Sequence, residues 1–524
     1  MHLSAQDLQN IDEDLLRSLP RKDLVEVSIL LVEDLKEAHD RLNQNPSNSS
    51  RPPSSKDPWV IARLEKEDNE DGFSDDDPVE GLLVEDVQEE PTETEEEPDH
   101  PEDKGNAEQG KGADGGKQKG AQGFGRTQQL PVTDTVRHIP DECEFCHREF
   151  GEMAEFIART GHYSIDIEVG GADNPGIRVT NTKHVYGDTL CACGQIRSTE
   201  PHRCEKESDW AVDLTEWHLI GPNLMALICF LALRMRLSRP RIREFLGIWL
   251  GLRISVGTIN QCVHEAGRAV EPLEEPLIEE IRKAAVLFCD ETSWKERGEL
   301  LWLWVLSTAT VTFFLIGYRS KKLLKRILGE TFEGWLMSDG YWAYRIFKNR
   351  LRCWAHLLRK AKGLNESLDE KAQGFGENAL AVLEVLMAAI YRAREGPRED
   401  LEKKYRFLLE DFRECCQQYK DVSHEKTRAL AREFLNDWEA IFRILANPML
   451  PLTNNEAEQA LRHWVIARKL SHGTRTSQGS RVFGLLATVI ETCRKRKACP
   501  WKYLAEVIAA RRQGHDAPPL PQAA

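Results

Sequence analysis

The spacing of apolar and polar positions changes several times along the chain, and each change predicts a different element. Within residues 11–42, Leu24, Leu31 and Leu35 recur at mostly helical spacing, which predicts a short amphipathic helix pair or a coiled coil. Packing on the protein's own domain and self-association are equally consistent with such a face. We assign residues 1–45 to this helical segment.

The helical spacing stops at Asn43, and residues 46–135 are rich in Ser, Pro, Gly, Gln and acidic side chains. Such a composition buries too little apolar surface to fold, so we predict a flexible linker. Residues 64–104 carry 20 Asp and Glu against 2 Lys, which leaves the rest of the chain near +2 although the net charge is -16. The acidic balance therefore does not exclude a DNA partner. The run is either a solvated spacer or a shield against stray DNA.

Paired cysteines follow the linker. Cys143 and Cys146 form a C-x-x-C pair, and Cys191 and Cys193 form a C-x-C pair. The cytosol keeps thiols reduced, and four soft thiolates suit tetrahedral zinc, so we predict a structural Zn²⁺ in a zinc-binding domain over residues 136–205. Uncoordinated buried thiols are the alternative. The second pair is tighter than usual, and nearby residues offer substitute ligands: His147, His184, His202 and Cys204.

Three helical patterns follow over residues 206–275, at 219–233, 237–248 and 255–270. Helices joined by a short turn beside a cluster of arginines are typical of helix-turn-helix DNA binding, although a three-helix bundle with a basic surface gives the same pattern. The arginines predicted to contact DNA here are Arg239, Arg241 and Arg243.

The uncharged stretch 300–318 is long enough to cross a membrane. Its Trp, Val and Thr content and the interruption at 307–310 favour two buried strands joined by a turn, and a membrane span is the alternative. No secretory leader pattern is present at the start, so we expect a cytoplasmic protein associated with the nucleoid.

Two acidic residues each follow a short apolar run: Asp290 after 284–289, and Asp339 after 334–338. Three strands, a helix and a fourth strand with acids on two strands that lie side by side predict a ribonuclease H-like core. Paired carboxylates repel unless a hard divalent cation binds them, and Mg²⁺ fits best. A third acid from a helix would complete the site.

The third acid is expected near residue 453, where a helix begins. Thr453 and Glu456 stand in capping-box relation, which gives Glu456 a structural role. Glu458 is left as the catalytic candidate, although a salt bridge to Arg462 four residues on is an alternative explanation for it.

Several segments resemble transposases of the insertion sequence 66 family, in order along essentially the whole chain. They are CDETSW at 289–294, SDGYWAY at 338–344, CWAHLLRKA at 353–361, NNEAEQALR at 454–462 and GSRVFGLLATVIETCR at 479–494. The resemblance implies a catalytic triad of Asp290, Asp339 and Glu458 holding two Mg²⁺ or Mn²⁺ ions. Where the family often has Asp before the double Asn, this chain has Thr453.

Cys353 and His356, three residues apart, share a helix face after the second acid. They either support the packing of the site or form a zinc pair. Residues 451–512 hold 12 Lys and Arg against 4 Glu, which suits a phosphate backbone, although a solvated basic face is the alternative. The DNA-binding residues predicted here are Arg462, Arg468, Lys469, Arg475 and Arg481.

The fold class expected is therefore multidomain α+β. The catalytic core covers 276–365 and 451–512, with a helical insertion at 366–450 and a disordered tail at 513–524. The predicted function is metal-dependent cleavage of element ends and strand transfer into target DNA. The expected partners are double-stranded terminal inverted repeats and target DNA, other copies of the chain on DNA, and accessory proteins of the same element. A catalytically inactive zinc-containing regulator and a nuclease that only hydrolyses are the alternatives.

Overall fold

The computed structural model describes residues 18–42, 130–150, 154–171, 173–201, 212, 218–397 and 399–523. Within these residues the protein is a mixture of α and β structure with two sheets. The strands, numbered in chain order, are β1 Asp134–Arg137, β2 Glu155–Val169, β3 Ile177–Leu190, β4 Ile196–Ser198, β5 Val286–Glu296, β6 Glu299–Ser307, β7 Thr312–Gly317, β8 Trp335–Ser338 and β9 Arg350–Arg352.

The helices are numbered in the same way. They are α1 Arg21–Leu42, α2 Pro222–Leu233, α3 Arg239–Trp249, α4 Val256–Val270, α5 Glu274–Arg282, α6 Lys321–Leu328, α7 Trp354–Asn365, α8 Glu370–Glu395, α9 Leu401–Lys404, α10 Arg406–Tyr419, α11 Glu425–Asn436, α12 Trp438–Phe442, α13 Asn455–Ser471, α14 Ser477–Lys495 and α15 Pro500–Arg512.

The larger sheet has the strand order β7-β6-β5-β8-β9. The first three strands are antiparallel neighbours, whereas β8 pairs parallel with both β5 and β9. The order of three strands, helix α6 and a fourth strand that the sequence predicts is thus present, with a fifth strand in addition. The uncharged stretch near residue 300 forms the hairpin of β6 and β7, as predicted.

Helix α14 covers the edge of this sheet. The hydroxyl oxygen of Thr488 accepts a hydrogen bond from the backbone N–H of Phe314 at 2.8 Å, and that of Thr492 accepts one from Thr312 at 3.2 Å. Gly484 permits this contact, because a Cβ there would lie 3.0 Å from the carbonyl oxygen of Phe314. The unpaired backbone groups of edge strand β7 are therefore partly satisfied by a helix.

Apolar side chains form three buried clusters around the sheet. One joins α2 to α4 with α13 to α15, and another joins α5 and α6 to the central strands. The third fills the helical region α7 to α12, of which α8 to α12 lie within the range predicted as the insertion. By length and composition, α8 is the one helix among those the structure describes that could span a membrane. Its residues Phe375, Leu383, Leu386 and Ile390 are all buried in this third cluster.

The smaller sheet has the order β1-β3-β2, with β4 also paired to β3. It is joined to α2 by Asp166 of β2, whose Oδ1 accepts a hydrogen bond from the N–H of Leu224 at 2.7 Å. The approach requires glycine at Gly221, because a Cβ there would lie 2.3 Å from Cγ of Asp166. The cysteine-bearing segment is thus packed against the start of the helical region.

Two chain segments differ from the predicted boundaries. Strand β1 begins inside the range assigned to the linker and extends past its predicted end at residue 135, and residues 46–129 of that linker lie outside the described residues. The tail predicted to be disordered packs on the core instead: Tyr503 donates to the carbonyl of Pro518 at 2.6 Å, and Arg496 donates to Pro521 at 3.0 Å. Buried hydrogen-bond donors on the core hold this segment.

Helix α1 is a single helix within the described residues, and residues 1–17 of the predicted pair lie outside them. Its apolar residues Val25, Ile29, Val32 and Leu35 are each more than half exposed. Its last turn contacts the helical insertion, since Asp40 accepts a hydrogen bond from Ser367.

Candidate active site and metal centres

Asp290 lies in β5, and Asp339 directly follows β8, the parallel neighbour of β5. The register pairs Val286 with Trp335 and Phe288 with Met337, and two residues further along it brings Asp290 level with Asp339. Neighbouring strands are roughly 4.8 Å apart, and residues at the same register level point to the same face of a sheet. The charge of Asp339 also raises the pKa of Asp290, which is consistent with this closeness.

The sequence suggested that Asp290 lies at the end of a strand, but it does not. It lies in the middle of β5. This strand continues to Glu296 because β6 pairs with it from Phe288 to Glu296. The partner β8 ends at Ser338, so the parallel pairing stops just before the two acids. The carboxylates thus lie where one strand continues and the other turns away.

The electrostatics of this pair are unfavourable without a cation. Burial raises the pKa of Asp290 well above its usual range, and the neighbouring charges of Asp339, Glu291 and Glu458 raise it further. The opposing contribution is the backbone N–H of Glu291, which donates to Asp290 Oδ1 at 2.9 Å. Asp339 Oδ1 accepts the N–H of Tyr341 at 2.9 Å, which fixes the turn after β8.

Glu291 is a buried acid that the sequence analysis missed. Its Oε1 accepts hydrogen bonds from Nε and Nη2 of Arg319 at 2.9 and 2.7 Å, and its Oε2 accepts one from the hydroxyl of Tyr344. Burial, and then the charge of Asp339, raises the pKa of Glu291 to about 7. The guanidinium of Arg319 stacks between Trp302 and Tyr341, 4.4 and 3.8 Å from the ring centroids. This network fixes Glu291, the residue of β5 that follows Asp290.

Glu458, in the first turn of α13, faces a histidine and an arginine. Nε2 of His356 donates to Glu458 Oε1 at 3.1 Å, and Nη2 of Arg359 lies 3.5 Å from the same oxygen. The hydrogen bond from His356, together with these positive charges, lowers the pKa of Glu458 although burial opposes the shift. The salt bridge to Arg462 considered from the sequence is replaced by these contacts with α7.

Glu458 is close enough to influence Asp290 electrostatically. In the part of the chain that the structure describes, however, two groups of metal-ligating side chains have all their ligand atoms within 4.8 Å of one another, and Asp290, Asp339 and Glu458 do not form either of them. Glu458 belongs instead to a group with Cys353 and His356. The three acids are therefore near one another, but their ligand atoms do not form one compact group.

The start of α13 differs from the predicted capping box. Asn454, not Thr453, occupies the N-cap, and Glu456 pairs with Nζ of Lys495 at 2.6 Å. The buried Asn454 amide donates to the carbonyl of Cys289 at 2.8 Å, and its backbone N–H donates to Cys353 Sγ at 3.2 Å. Asn454 thus ties β5 to the helix that carries Glu458. In the sequence, the two consecutive asparagines at 454 and 455 are the feature that could have indicated this role.

Four cysteines form the second compact group. Cys143 Sγ lies 3.8 Å from Cys193 Sγ, and Cys146 Sγ lies 3.6 Å from Cys191 Sγ. All four sulfurs are within 4.8 Å of one another. Zn–S bonds of roughly 2.3 Å in a tetrahedron place sulfurs roughly 3.8 Å apart, so the arrangement fits zinc.

Backbone turns shape this group. Gly194 adopts a φ of 86°, and its N–H donates to the carbonyl of Cys191 at 2.8 Å. Backbone N–H groups of Cys146 and Phe145 lower the pKa of Cys143 to about 6, which favours the thiolate that a metal needs. His184, considered as a substitute ligand, contacts His138 instead. Nδ1 of His184 lies 3.0 Å from Nε2 of His138.

The basic residues predicted to bind DNA divide into two sets. Arg481 forms a salt bridge with Glu274 and Arg468 donates to Ser293 of β5, so both stabilise the fold. Arg239 is half-buried, and desolvation lowers its pKa. The residues of the other set are exposed: Arg241, Arg243, Arg462, Lys469 and Arg475.

Adjacent, partly buried carboxylates at a mixed sheet, with a third acid and exposed arginines nearby, are typical of proteins that act on nucleic-acid phosphates. The chain belongs to the IS66 family of transposases: the family model described as "Transposase IS66 family" matches residues 218–482.

Two curated relatives come from Sinorhizobium fredii (strain NBRC 101917 / NGR234), and both are described as uncharacterized. Protein y4qI is 25% identical over 298 residues, covering 51% of this chain and 55% of that protein. Protein y4hP is 24% identical over 334 residues, covering 55% and 59%. The chain thus matches little more than half the length of these relatives.

Proposed function

We propose that the protein is a DNA transposase that cleaves the ends of its element and joins them to target DNA. Asp290, Asp339 and Glu458 are the proposed catalytic acids, in a ribonuclease H-like core. The observation that carries the proposal is the position of Asp290 level with Asp339 on adjacent parallel strands. The sheet order, three antiparallel strands followed by two parallel ones, supports the same core.

The acidic pair fits a hard divalent cation. Both side chains offer carboxylate oxygens, which Mg²⁺ and Mn²⁺ prefer, and burial together with mutual repulsion raises the pKa of Asp290. A bound cation would remove that penalty. Two such ions would activate a water or a 3′ hydroxyl for attack on the phosphate and stabilise the leaving oxygen.

The residues of this chain have separate tasks in that chemistry. Asp290 and Asp339 hold the ions on a rigid sheet, and Asn454 fixes the beginning of α13 against β5. Glu458 completes the ligand set from α13. Its Oε1 is engaged by His356 and Arg359, so the catalytic arrangement requires Glu458 to leave these partners.

The rest of the chain is proposed to hold DNA. Helices α2 to α4 form a helix-turn-helix-like unit, with exposed Arg241 and Arg243 directed to phosphates. Exposed Arg462, Lys469 and Arg475 would hold the backbone near the acids. Residues 136–205 form a zinc-binding domain in which Cys143, Cys146, Cys191 and Cys193 bind one structural Zn²⁺, as their spacing supports.

We further propose that the protein acts in the cytoplasm on the nucleoid, as an oligomer on DNA and with accessory proteins of its element. The domain arrangement proposed is an N-terminal helical segment at 1–45, a linker, the zinc-binding domain, the helical unit at 206–275 and a core interrupted by the insertion at 366–450.

The test uses the purified full chain with duplexes from the inverted repeats that flank its coding region. Asp290→Asn, Asp339→Asn and Glu458→Gln should each reduce cleavage and joining in Mg²⁺ by at least about 1000-fold, since each removes a metal ligand, while binding of the ends is retained. Asp411→Asn and Glu439→Gln, at exposed positions, are the controls and should stay active. Normal joining by any of the three variants would remove that residue from the site. Pre-cut ends distinguish a transposase from a nuclease that only hydrolyses.

A further inference from the structure

The group formed by Cys353, His356 and Glu458 has the geometry of a metal site in its own right. Their ligand atoms all lie within 4.8 Å of one another. Cys353 is the N-cap of α7 and His356 lies in its first turn, so one helix end supplies two ligands. Glu458 comes from the first turn of α13, about a hundred residues later.

Burial raises the pKa of the Cys353 thiol, and the backbone N–H groups around the sulfur, that of Asn454 foremost, oppose this shift. Cys353 is fully buried, and its Sγ accepts the backbone N–H of Asn454 at 3.2 Å. It also occupies the N-cap position of a twelve-residue helix, without a side-chain capping hydrogen bond, where the helix dipole favours negative charge. These features are independent of the acidic pair on the sheet.

The group remains accessible to an ion. The side chains of His356 and Glu458 are 19% and 29% exposed, whereas the sulfur forms the closed end of the site. A thiolate, an imidazole and a carboxylate together suit zinc, whereas the sulfur and the nitrogen are poor ligands for Mg²⁺, which prefers oxygen. Three protein ligands leave the fourth tetrahedral position open, as in exchangeable zinc sites.

We propose that Cys353, His356 and Glu458 bind one zinc ion and that this ion withholds Glu458 from the acidic pair. The thiol proton of Cys353 passes to solvent when the ion binds. The second half of this proposal rests on the proposed function, because it makes zinc an inhibitor of the Mg²⁺-dependent reaction. The first half, a zinc site separate from the four cysteines, stands without it.

A simple His356–Glu458 ion pair does not account for the whole arrangement. Glu458 already has Arg359 as a cationic partner, and the pair does not require a sulfur at the same point. A supporting role in packing, with no metal, is the competing explanation. It predicts no change in metal content when these residues are replaced.

The experiment measures zinc per chain by elemental analysis on the full-length protein after equilibration with low micromolar zinc and removal of excess. Cys353→Ser and His356→Ala should each contain one zinc ion fewer than the unmodified chain. Cys415→Ser, a half-buried cysteine of α10, is the matched control and should lose none. Because the result is a difference, it does not depend on occupancy of the four-cysteine site.

His356→Ala keeps the test valid if replacement of the buried Cys353 impairs folding, since His356 is partly exposed and circular dichroism can confirm that the variant is folded. Equal zinc content in the unmodified chain and in folded His356→Ala overturns the proposal. Cobalt substitution gives a second readout, in which His356→Ala loses the absorption of one thiolate-bound ion.

Inhibition is tested separately. Micromolar zinc added to the Mg²⁺ reaction should reduce cleavage by the unmodified chain at least tenfold, and the fold inhibition should be smaller in His356→Ala. Absence of zinc inhibition overturns the regulatory half. If the zinc counts differ as expected while the three acids prove dispensable for cleavage, the proposed function fails and the zinc site stands.

Discussion

Asp290 and Asp339 occupy the same level of two parallel strands, two residues beyond the last pair that their register joins. This position brings two partly buried carboxylates close together, and the charge of Asp339 raises the pKa of Asp290. Their mutual repulsion destabilises the metal-free fold and, for the same reason, favours the binding of a metal ion. The same geometry therefore predicts opposite effects of substitution on stability and on metal binding.

Asp339→Asn should stabilise the metal-free protein, because it removes a charge beside Asp290. At an effective dielectric constant near 20 the gain is of order 1–3 kcal/mol. In the unmodified chain, Mg²⁺ at 100 times its Kd should add about 2.7 kcal/mol, and this gain should be absent in the variant. Denaturant unfolding with EDTA and with Mg²⁺ measures both. Asp411→Asn, at an exposed position, is the control, and equal Mg²⁺ stabilisation in unmodified and Asp339→Asn protein would contradict the prediction.

Glu291 predicts a pH dependence. Its pKa is raised to about 7 in the fold from an ordinary value of 4.5, so the folded state retains a proton that the unfolded state releases. Without divalent metal, the free energy of unfolding should therefore fall as pH rises from about 4.5 to about 7. Glu291→Gln should weaken this slope.

Unfolding in urea at pH 5, 6, 7 and 8 in EDTA gives the slope, with the exposed Glu410→Gln as the matched control. A slope that is the same in Glu291→Gln and in the control would show that Glu291 does not bind the proton.

The local pattern of the sequence was sufficient to predict the hairpin of β6 and β7, the three helices α2 to α4 and the pairing of Asp290 with Asp339. Each depends on apolar periodicity or on acids that follow apolar runs. The full length of β5 could not be predicted in this way, because its second half is polar and is a strand only through its pairing with β6.

Contacts between distant segments explain the other differences. Glu456 fits a capping box locally, but Lys495 from α14 forms a salt bridge with it. The Glu291–Arg319 pair joins the middle of β5 to the segment after β7, 28 residues further on, and the sequence alone shows neither the direction of Glu291 nor its burial. Ion pairs between distant segments therefore determine the contacts of Glu456 and Glu291.

Asp437 predicts a large loss of stability. Its side chain is fully buried and accepts hydrogen bonds from Arg345 at 3.2 Å and Arg350 at 2.6 Å, as well as from Arg352. Asp437→Ala would leave buried guanidinium groups without their acid, at a cost of about 3–5 kcal/mol.

The matched control is Glu439→Ala, whose carboxylate is 87% exposed and 3.5 Å from Arg443. It should cost less than about 1 kcal/mol. Thermal and denaturant unfolding compare the two variants. Similar losses would show that the buried arginines find other partners.

The four cysteines predict a zinc-dependent domain. Cys146 is exposed to solvent, so Cys146→Ser should fold without overpacking the core, yet it removes one of four sulfurs that lie within 4.8 Å of one another. Because structural zinc contributes directly to folding, loss of a ligand should release one zinc ion and expose residues 136–205 to protease. Limited proteolysis with mass spectrometry locates the cleavage, and strong chelators should reproduce it in the unmodified chain. Cys499→Ser, an exposed cysteine outside the group, is the control. If Cys146→Ser retains both its zinc content and its resistance to protease, the sulfur cluster is not a metal site.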